Sequence, residues 1–281
     1  MNGYLIGETV GSGSAGKVKL CKNLRNGQQF AMKIWNRNDC GSLFKSKKMP
    51  TMMDVQREIN LMKKLNHPNI VKLHQVIDEM NHKNLYIVME YVPGGCIMDS
   101  KFRSKLVLSE SLVKPYFVGL VKAVKYLHSL HIVHRDIKPE NILFRPGSTE
   151  IKLCDFSSAE VLTAELRLTG SAGTASFTAP ELCKEYVGVG SGPLAFPTDI
   201  WSSGVTLYCL VLRSYPFNGK NVGALYHNIL SSEVSFSPAD DLSIQFQDLI
   251  KRMLSKNPSQ RISIPEIQKH PWFASLGRAV W

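Results

Sequence analysis

The N-terminal third of the chain carries short runs in which hydrophobic and polar positions alternate, a pattern typical of β-strands. The alternation predicts strands over residues 4–10, 17–23, 29–35, 70–77 and 84–90. Between the third and fourth strands, apolar residues instead recur at helical spacing over 53–65, and His67-Pro68-Asn69 follows as a stop signal.

After Pro93-Gly94-Gly95, a natural linker, the pattern becomes helical. The spacing of apolar residues predicts helices over 109–130, 199–212, 222–230, 243–254 and 264–270. Residues 185–197 are the nearest to a flexible loop. The sequence therefore predicts an α+β protein with a small β-rich lobe, residues 1–92, and a larger helical lobe, residues 93–281.

Composition and charge narrow the class of protein. The chain has 281 residues, 44% of them hydrophobic, which is enough for one large core or two lobes. With 34 basic and 23 acidic residues the formal net charge is +11, but this excess is spread along the sequence. The densest cluster, Lys45, Lys47 and Lys48, fits a solvated loop better than a nucleic-acid or lipid site. We therefore expect no nucleic-acid partner, and a docking site for partner proteins is the second reading of the cluster.

The sequence shows no features of a membrane protein, a secreted protein or a protein stabilised by a bound metal. The longest apolar run, Val205–Leu212, is far shorter than the roughly 20 residues that span a bilayer. The first residues lack the basic and apolar regions of a signal peptide. The 6 cysteines show no metal-knuckle spacing, which favours reduced and mostly buried thiols. We expect a cytoplasmic protein, with the nucleus as a second candidate.

A Gly-rich segment lies between the first two predicted strands, with the sequence Gly11-Ser12-Gly13-Ser14-Ala15-Gly16-Lys17-Val18. Glycines allow close approach of the backbone to a phosphate and present N–H groups to it. The pattern G-x-G-x-x-G alone is weak evidence, because dinucleotide-binding folds share it. In those folds a helix follows, whereas here a strand follows, which argues against a dinucleotide site.

Lys33 lies at the end of the third predicted strand, where its ammonium could hold phosphate oxygens. Such a lysine needs a carboxylate to fix it, and Glu58 on the predicted helix is suitably placed. Taken singly, each would be read as an ordinary surface charge, so their meaning depends on the remaining motifs.

Three motifs in the helical part point to phosphoryl transfer. They are His134-Arg135-Asp136-Ile137-Lys138-Pro139-Glu140-Asn141, Asp155-Phe156-Ser157 and Ala179-Pro180-Glu181. Phosphoryl transfer needs a carboxylate for the attacking hydroxyl, a cation for the moving group and oxygen ligands for Mg²⁺. Asp136, Lys138, Asn141 and Asp155 supply these groups in the required order.

On these motifs the sequence resembles the eukaryotic protein kinase family from about Tyr4 to Phe273. The resemblance implies a bilobal fold, with ATP and Mg²⁺ as cofactors. It also implies that one set of residues surrounds ATP: Gly11, Ser12, Gly13, Gly16 and Val18 over the phosphates, Ala31 and Leu143 on the two faces of the adenine, Met89 as gatekeeper, and main-chain groups of Glu90 and Val92 at the adenine edge.

The resemblance assigns the chemical roles as well. Lys33, paired with Glu58, would hold the α- and β-phosphates, and Asp136 would act as the catalytic base. Asn141 and Asp155 would bind Mg²⁺.

Two further residues would support this machinery. Asp199 would anchor the loop that carries Asp136, and Arg261 would pair with Glu181.

The acceptor is expected to be serine or threonine of protein substrates. Lys138 distinguishes serine/threonine kinases from tyrosine kinases, and Thr174 resembles the threonine that links Asp136 to Lys138 in the former.

Within the family, several segments most resemble the calcium/calmodulin-dependent protein kinase kinases, which act on activation loops of other kinases. These segments are Gly204–Cys209, Pro216-Phe217, Arg252–Pro258, Pro265–Ile267 and His270–Trp272, together with the basic insert between Lys33 and Glu58. Other kinases are therefore a candidate substrate class. Calmodulin itself is not supported as a partner, because Ala274–Trp281 is too short for an amphipathic target helix of about 15–20 residues.

Ser157 departs from the family pattern, which has glycine at this position. Glycine gives the backbone freedom beside the metal-binding aspartate, and serine restricts it. The departure motivates one alternative, a nucleotide-binding pseudokinase scaffold.

Two other features leave substrate preference and activation open. Glu140 could read a basic residue of the substrate, but Cys209 stands where basophilic kinases carry a second glutamate. Arg135 normally pairs with an activation-loop phosphate, and neither Thr169 nor Ser171 falls clearly at the usual place. The other reading is that Arg135 is satisfied without a phosphate.

Overall fold

The computed structural model describes residues 3–13, 16–37, 50–79, 83–101, 103, 108–162, 168, 172–185, 194–277 and 280–281. The basic cluster at Lys45–Lys48, both candidate phosphorylation sites (Thr169 and Ser171) and residues 186–193 of the expected loop lie outside these ranges. Residues 185 and 196–197, which we expected to belong to that loop, are helical.

The N-terminal lobe is built on one antiparallel sheet in the order β1-β2-β3-β5-β4. Its strands are β1 Tyr4–Gly13, β2 Gly16–Asn23, β3 Gln29–Asn36, β4 Leu73–Ile77 and β5 Asn84–Glu90. All lie where the alternation predicted strands, but β4 begins three residues late. The reason is that Ile70 forms a bridge with Leu153, and the Val71 N–H donates to the Leu153 carbonyl, so this stretch joins the other lobe.

The helix of this lobe, α1 (Met52–Met62), starts at a capping box formed by Thr51 and Asp54. It ends before Leu65, where the apolar repeat predicted its end. The Leu65 N–H donates to the Met62 carbonyl three residues back, so the last turn tightens and Leu65 is buried without being helical.

The C-terminal lobe is mainly helical, as the apolar spacing predicted, although that spacing did not predict the short helix α3. Its helices are α2 Glu110–Ser129, α3 Pro180–Glu185, α4 Phe196–Leu212, α5 Val222–Ser231, α6 Ile244–Met253 and α7 Ile264–Lys269. Helix α4 begins three residues before the predicted start because Pro197 lies in its first turn, where a missing N–H costs nothing. Together the two lobes confirm the α+β class.

The structure also contains short strands that the sequence did not predict, and these flank the loops around Asp136 and Asp155. They form two ribbons, β6 Ile132–Val133 with β9 Glu160–Val161, and β7 Ile142–Phe144 with β8 Ile151–Leu153. Strands of two or three residues are too short for an alternating pattern to reveal them.

The main core lies in the C-terminal lobe around α2 and α4, where Phe117 and Trp201 are fully buried. Within the described ranges no group of three His, Cys, Asp or Glu side chains could hold a metal ion. In the same ranges no helix combines the length and apolar character needed to cross a membrane.

Gly204, in the middle of α4, tests how tightly this core is filled. A Cβ at this position would lie 2.9 Å from Met253 Cβ and 3.1 Å from Leu254 Cδ2. We expect Gly204→Ala to lower the free energy of unfolding by about 1 kcal/mol or more, because overpacking outweighs the helix propensity of alanine. Urea unfolding measures the change. The control is Gly223→Ala in α5, where the nearest neighbour would be 3.4 Å away; equal destabilisation of both variants would contradict the expectation.

Candidate active site

The Gly-rich hairpin between β1 and β2 closes at the pair Gly13 and Gly16, with Ser12 opposite Lys17 and Gly11 opposite Val18. Gly16 has a φ of +143°, and a Cβ there would lie 2.2 Å from the Ile34 carbonyl oxygen. This position therefore requires glycine, and the hairpin is held directly against β3.

Half-buried apolar side chains from both lobes lie near this hairpin. Ala31 on β3 is directly opposite Met89 on β5, and Val18 is opposite Lys33. Leu143 on β7 forms a bridge with Cys96, so the linker after β5 is hydrogen-bonded to the C-terminal lobe. Partial exposure of these residues is what the walls of an open cleft require.

In the linker that follows β5, some main-chain groups already form hydrogen bonds within the protein. The Glu90 N–H donates to the Lys72 carbonyl at 2.9 Å, and the Val92 carbonyl accepts from the Gly95 N–H at 3.2 Å. Contacts with an adenine edge would therefore fall to the Glu90 carbonyl and the Val92 N–H. The Glu90 side chain is engaged elsewhere, because its carboxylate lies 2.9 Å from Lys152 Nζ.

Lys33 and Glu58 form a buried ion pair between β3 and α1. Lys33 Nζ donates to both carboxylate oxygens of Glu58, at 2.8 and 3.0 Å, and lies 4.0 Å from Asp155 Oδ1. Burial by itself would lower the pKa of Lys33, but the negative charges of Glu58 and Asp155 outweigh it and raise the pKa above its ordinary value. Lys33 is thus a permanent buried cation at the cleft.

Three polar groups surround Asp136, which lies in the loop of residues 134–141, called the catalytic loop below; two belong to this loop and the third, Thr174, comes from a later segment. Thr174 Oγ1 donates to Asp136 Oδ1 at 2.7 Å, and Lys138 Nζ donates to Oδ2 at 2.7 Å and to Thr174 Oγ1 at 2.8 Å. Asn141 Nδ2 donates to Oδ2 at 3.1 Å and to the Asp136 carbonyl at 2.8 Å. The carboxylate orientation is fixed by residues that are up to 38 positions apart.

Asp199, at the start of α4, holds the backbone of the same loop through hydrogen bonds. Its carboxylate accepts the N–H groups of His134 and Arg135 at 2.9 and 3.0 Å and lies 3.0 Å from His128 Nε2. Burial alone would raise the pKa of Asp199, but the hydrogen bonds from His128 and His134 lower it below its usual range. Sequence reasoning missed His128, although its position four residues after the core residue Val124 places it on the buried face of α2.

Asp155 and Asn141 form the donor set expected for Mg²⁺. Burial would raise the pKa of Asp155, but the charge of Lys33 and hydrogen bonds from Ser157 lower it, so the carboxylate is ionised. The Asn141 amide nitrogen is engaged by Asp136, which leaves the amide oxygen as its ligand atom. One carboxylate and one amide oxygen fit Mg²⁺, which usually takes few protein ligands and completes its shell with phosphates and water.

Ser157 is exposed and holds Asp155 from the following turn. Its backbone N–H lies 3.4 Å from Asp155 Oδ1, while Asp155 itself has a φ of +62°. The neighbouring Phe156 is buried and packs edge-on against the His134 ring. A glycine would offer the same N–H, but the Ser157 side chain adds a hydrogen bond of its own to Asp155, which lowers the pKa of that carboxyl.

Arg261, before α7, makes the expected contact with Glu181 of α3. Two guanidinium nitrogens donate to the two carboxylate oxygens at 2.6 and 2.8 Å. Arg261 Nη1 also donates to the Pro197 carbonyl, and Nε donates to the Ser255 carbonyl. This buried arginine joins α3, α4 and the segment after α6.

The structure thus brings together Lys33, Glu58 and Asp155 on one side and the Asp136 network on the other. Val18, Ala31 and Met89 lie in the strands expected for them, whereas Leu143 lies on β7, a strand that the sequence did not predict. Ser12 lies near the end of β1. Their roles toward a nucleotide stay predictions.

Residues 4–273 match the family described as the protein kinase domain. Among curated relatives, the serine/threonine-protein kinase GRIK2 of Arabidopsis thaliana is 37% identical over 97% of this chain and 65% of its own length. The SNF1-related protein kinase catalytic subunit alpha KIN12 of the same plant is 37% identical, over 96% of this chain and 51% of its own. The serine/threonine-protein kinase ssp1 of Schizosaccharomyces pombe is 34% identical, over 97% and 42%. The chain therefore spans well under the full length of these relatives.

Arg261 provides a test of how much the buried ion pair contributes. We expect Arg261→Lys to lower the free energy of unfolding by about 2–4 kcal/mol, because lysine keeps the charge but cannot make the paired bonds. Chemical denaturation measures the change. Arg252→Lys is the matched control, since Arg252 and Glu266 are exposed and 3.5 Å apart; it should change stability by less than about 0.5 kcal/mol. Similar values for both variants would contradict the role given to Arg261.

Proposed function

The chain belongs to the protein kinase family as a serine/threonine protein kinase domain, and from that premise we propose that it transfers the γ-phosphoryl group of ATP to serine or threonine hydroxyls of protein substrates. The observation that carries the proposal is the complete hydrogen-bonded network around Asp136. The other active-site residues are proposed to stabilise the charge of the phosphate groups and to position the reacting groups.

Asp136 is proposed to orient the acceptor hydroxyl and to accept its proton. A carboxylate has about four acceptor sites, and Thr174, Lys138 and Asn141 use three of them. Oδ2 takes two of these bonds and Oδ1 only one, so the incoming hydroxyl is assigned to Oδ1. Because Thr174 and Lys138 hold both oxygens, the base is fixed before the substrate arrives, which lowers the entropic cost of alignment.

Lys33 is proposed to supply positive charge to the α- and β-phosphates, and Lys138 to the transferred group. Glu58 keeps Lys33 extended into the cleft, and Asp136 and Thr174 keep Lys138 beside the base. Bound Mg²⁺ would screen the phosphate charges, and Asp155 and Asn141 are the residues proposed to hold it.

Serine or threonine is the proposed acceptor because Lys138 and Thr174, the two residues that resemble those of serine/threonine kinases, contact each other and Asp136. Glu140 is a proposed contact for a basic residue of the substrate. It is half-buried at the end of the catalytic loop, and burial raises its pKa, with Lys138 opposing and Asp136 and Asp99 adding to the rise.

The finer proposal is that substrates include activation loops of other kinases. Its support is the resemblance of the segments around Gly204–Cys209 and Arg252–Pro258 to calcium/calmodulin-dependent protein kinase kinases. A panel of catalytically dead kinases, offered beside unstructured peptides, tests it: labelling of the peptides alone would contradict it. The cytoplasmic location also stays a prediction.

The alternative, a nucleotide-binding pseudokinase scaffold, is less favoured. Its one motivation is Ser157, whereas Lys33, Asp136 and Asp155 are all present and in contact with their partners. A scaffold needs no base held by three side chains.

Asp136→Asn should lower γ-phosphoryl transfer by at least about 10²-fold, because an amide cannot take the hydroxyl proton. Transfer of labelled phosphate from Mg-ATP to a mixed peptide pool measures this, and identification of the labelled amino acid tests the acceptor. ATP binding, followed by thermal shift, should persist in the variant.

The matched control is Asp78→Asn, an exposed aspartate that pairs with Arg37 on the N-terminal lobe and should leave transfer unchanged. Equal transfer by the wild type and Asp136→Asn would refute the proposed function, and label confined to tyrosine would refute the acceptor assignment.

Ser157→Gly should change kcat by less than about tenfold, or under about 1.4 kcal/mol, because Lys33 continues to hold Asp155. Steady-state kinetics at saturating Mg-ATP measures it, and Ser157→Ala separates the hydroxyl from backbone freedom. A hundredfold rise, about 2.7 kcal/mol, would mean that the native serine cripples the enzyme and would revive the scaffold alternative.

A further inference from the structure

Arg135, in the middle of the catalytic loop, forms an ion pair with Glu160. One guanidinium nitrogen of Arg135 donates to Glu160 Oε2. The side chains are only 6% and 18% exposed, so water screens this contact weakly. This pair could not be predicted from the sequence, because a glutamate in a short loop region looks like an ordinary surface charge.

The pair joins two segments next to residues of the proposed active site. Arg135 directly precedes Asp136, and its N–H donates to Asp199. Glu160 lies on β9, opposite Val133 on β6, shortly after Asp155. The contact therefore ties the segment that follows the metal-ligand residue to the loop that carries the base.

The backbone around the pair is well supported. Arg135 has a φ of +66°, a left-handed conformation that non-glycine residues adopt only when surrounding contacts hold them. The main-chain bond from Leu162 to His131 closes the same β6–β9 ribbon from the other end. The ion pair with Glu160 helps to stabilise a backbone conformation of Arg135 that would otherwise be unfavourable.

We propose that Glu160 is a positioning residue whose carboxylate gives Arg135 the anionic partner that an activation-loop phosphate supplies in related enzymes. Consequently the catalytic loop is ordered, and the kinase is competent, without phosphorylation. A shielded guanidinium needs an anion or a set of acceptors close by, and a carboxylate built into β9 supplies a permanent one. A phosphate carries more charge, about −1.5 to −2, but has to be added.

The inference rests on the proposed function, since it concerns how that activity is switched. A purely structural role for Glu160 would affect folding alone. A positioning role predicts loss of kcat in the phosphate-free enzyme, little change in the KM for ATP, and partial retention of kcat when the carboxylate is kept.

The test compares wild type, Glu160→Gln and Glu160→Asp, each treated with a phosphatase and verified as phosphate-free by mass spectrometry. We expect the wild type to retain its kcat after treatment. Glu160→Gln should lose at least about tenfold in kcat, equivalent to about 1.4 kcal/mol, and Glu160→Asp should fall between the two. Glu150→Gln is the matched control, because Glu150 pairs with Arg145 on the exposed β7–β8 turn.

A second readout does not depend on activity. Amide hydrogen exchange over residues 133–136 should accelerate in Glu160→Gln and stay at the wild-type rate in Glu150→Gln. Unchanged kcat and unchanged exchange in Glu160→Gln would overturn the inference while leaving the kinase activity intact. Loss of wild-type activity on phosphatase treatment would overturn it as well. Absence of transfer by every form would refute the proposed function, and exchange would then decide the positioning role by itself.

Discussion

A carboxylate with no exposure to solvent, Asp199, fixes the backbone on which the chemistry depends. An ionised group in such a position is tolerated only when hydrogen bonds replace its lost hydration. Two consecutive N–H groups of the catalytic loop and the ring of His128 provide them. The loop therefore cannot move away without leaving a buried charge unsatisfied. In this way the most central helix, α4, sets the position of Asp136, although it contributes no side chain to the reaction.

Three shielded ion pairs extend this control across both lobes. Lys33 with Glu58 connects β3 to α1, Arg135 with Glu160 connects the catalytic loop to β9, and Arg261 with Glu181 connects α3 to the segment between α6 and α7. The partners in these pairs are 25, 25 and 80 positions apart in the sequence. Because removal of one partner leaves a buried charge, an arrangement that separates either partner from the other is disfavoured.

The sequence predicted more of the site than of the fold's details, for physical reasons. Motifs such as His134–Asn141 carry residue types that few other contexts require, so their chemistry was readable before any geometry. The end of α1 and the start of α4 were misplaced, because Leu65 continues an apolar repeat outside the helix and Pro197, at the end of the expected loop, lies in the first turn of the helix. Glu160 and His128 could not be assigned, since a charge pair or a buried histidine depends on which distant segments meet. The short strand β9, which brings Glu160 to Arg135, has too few residues to leave a periodic signal.

The separation between Glu181 and Arg261 has a consequence for synthesis of the protein. Translation reaches the arginine 80 residues after its partner, a delay of roughly 4–16 s at ordinary rates of chain elongation. During this interval the residues around Asp136 have already been synthesised, but α3 lacks the cation that allows its carboxylate to be buried. Until Arg261 is added, the Glu181 carboxylate has to stay hydrated, and the bonds that join α3 to α4 and to the segment after α6 cannot form. Termination of the chain before Arg261 would therefore release a polypeptide that contains every residue assigned to the reaction but lacks the cation that allows Glu181 to be buried.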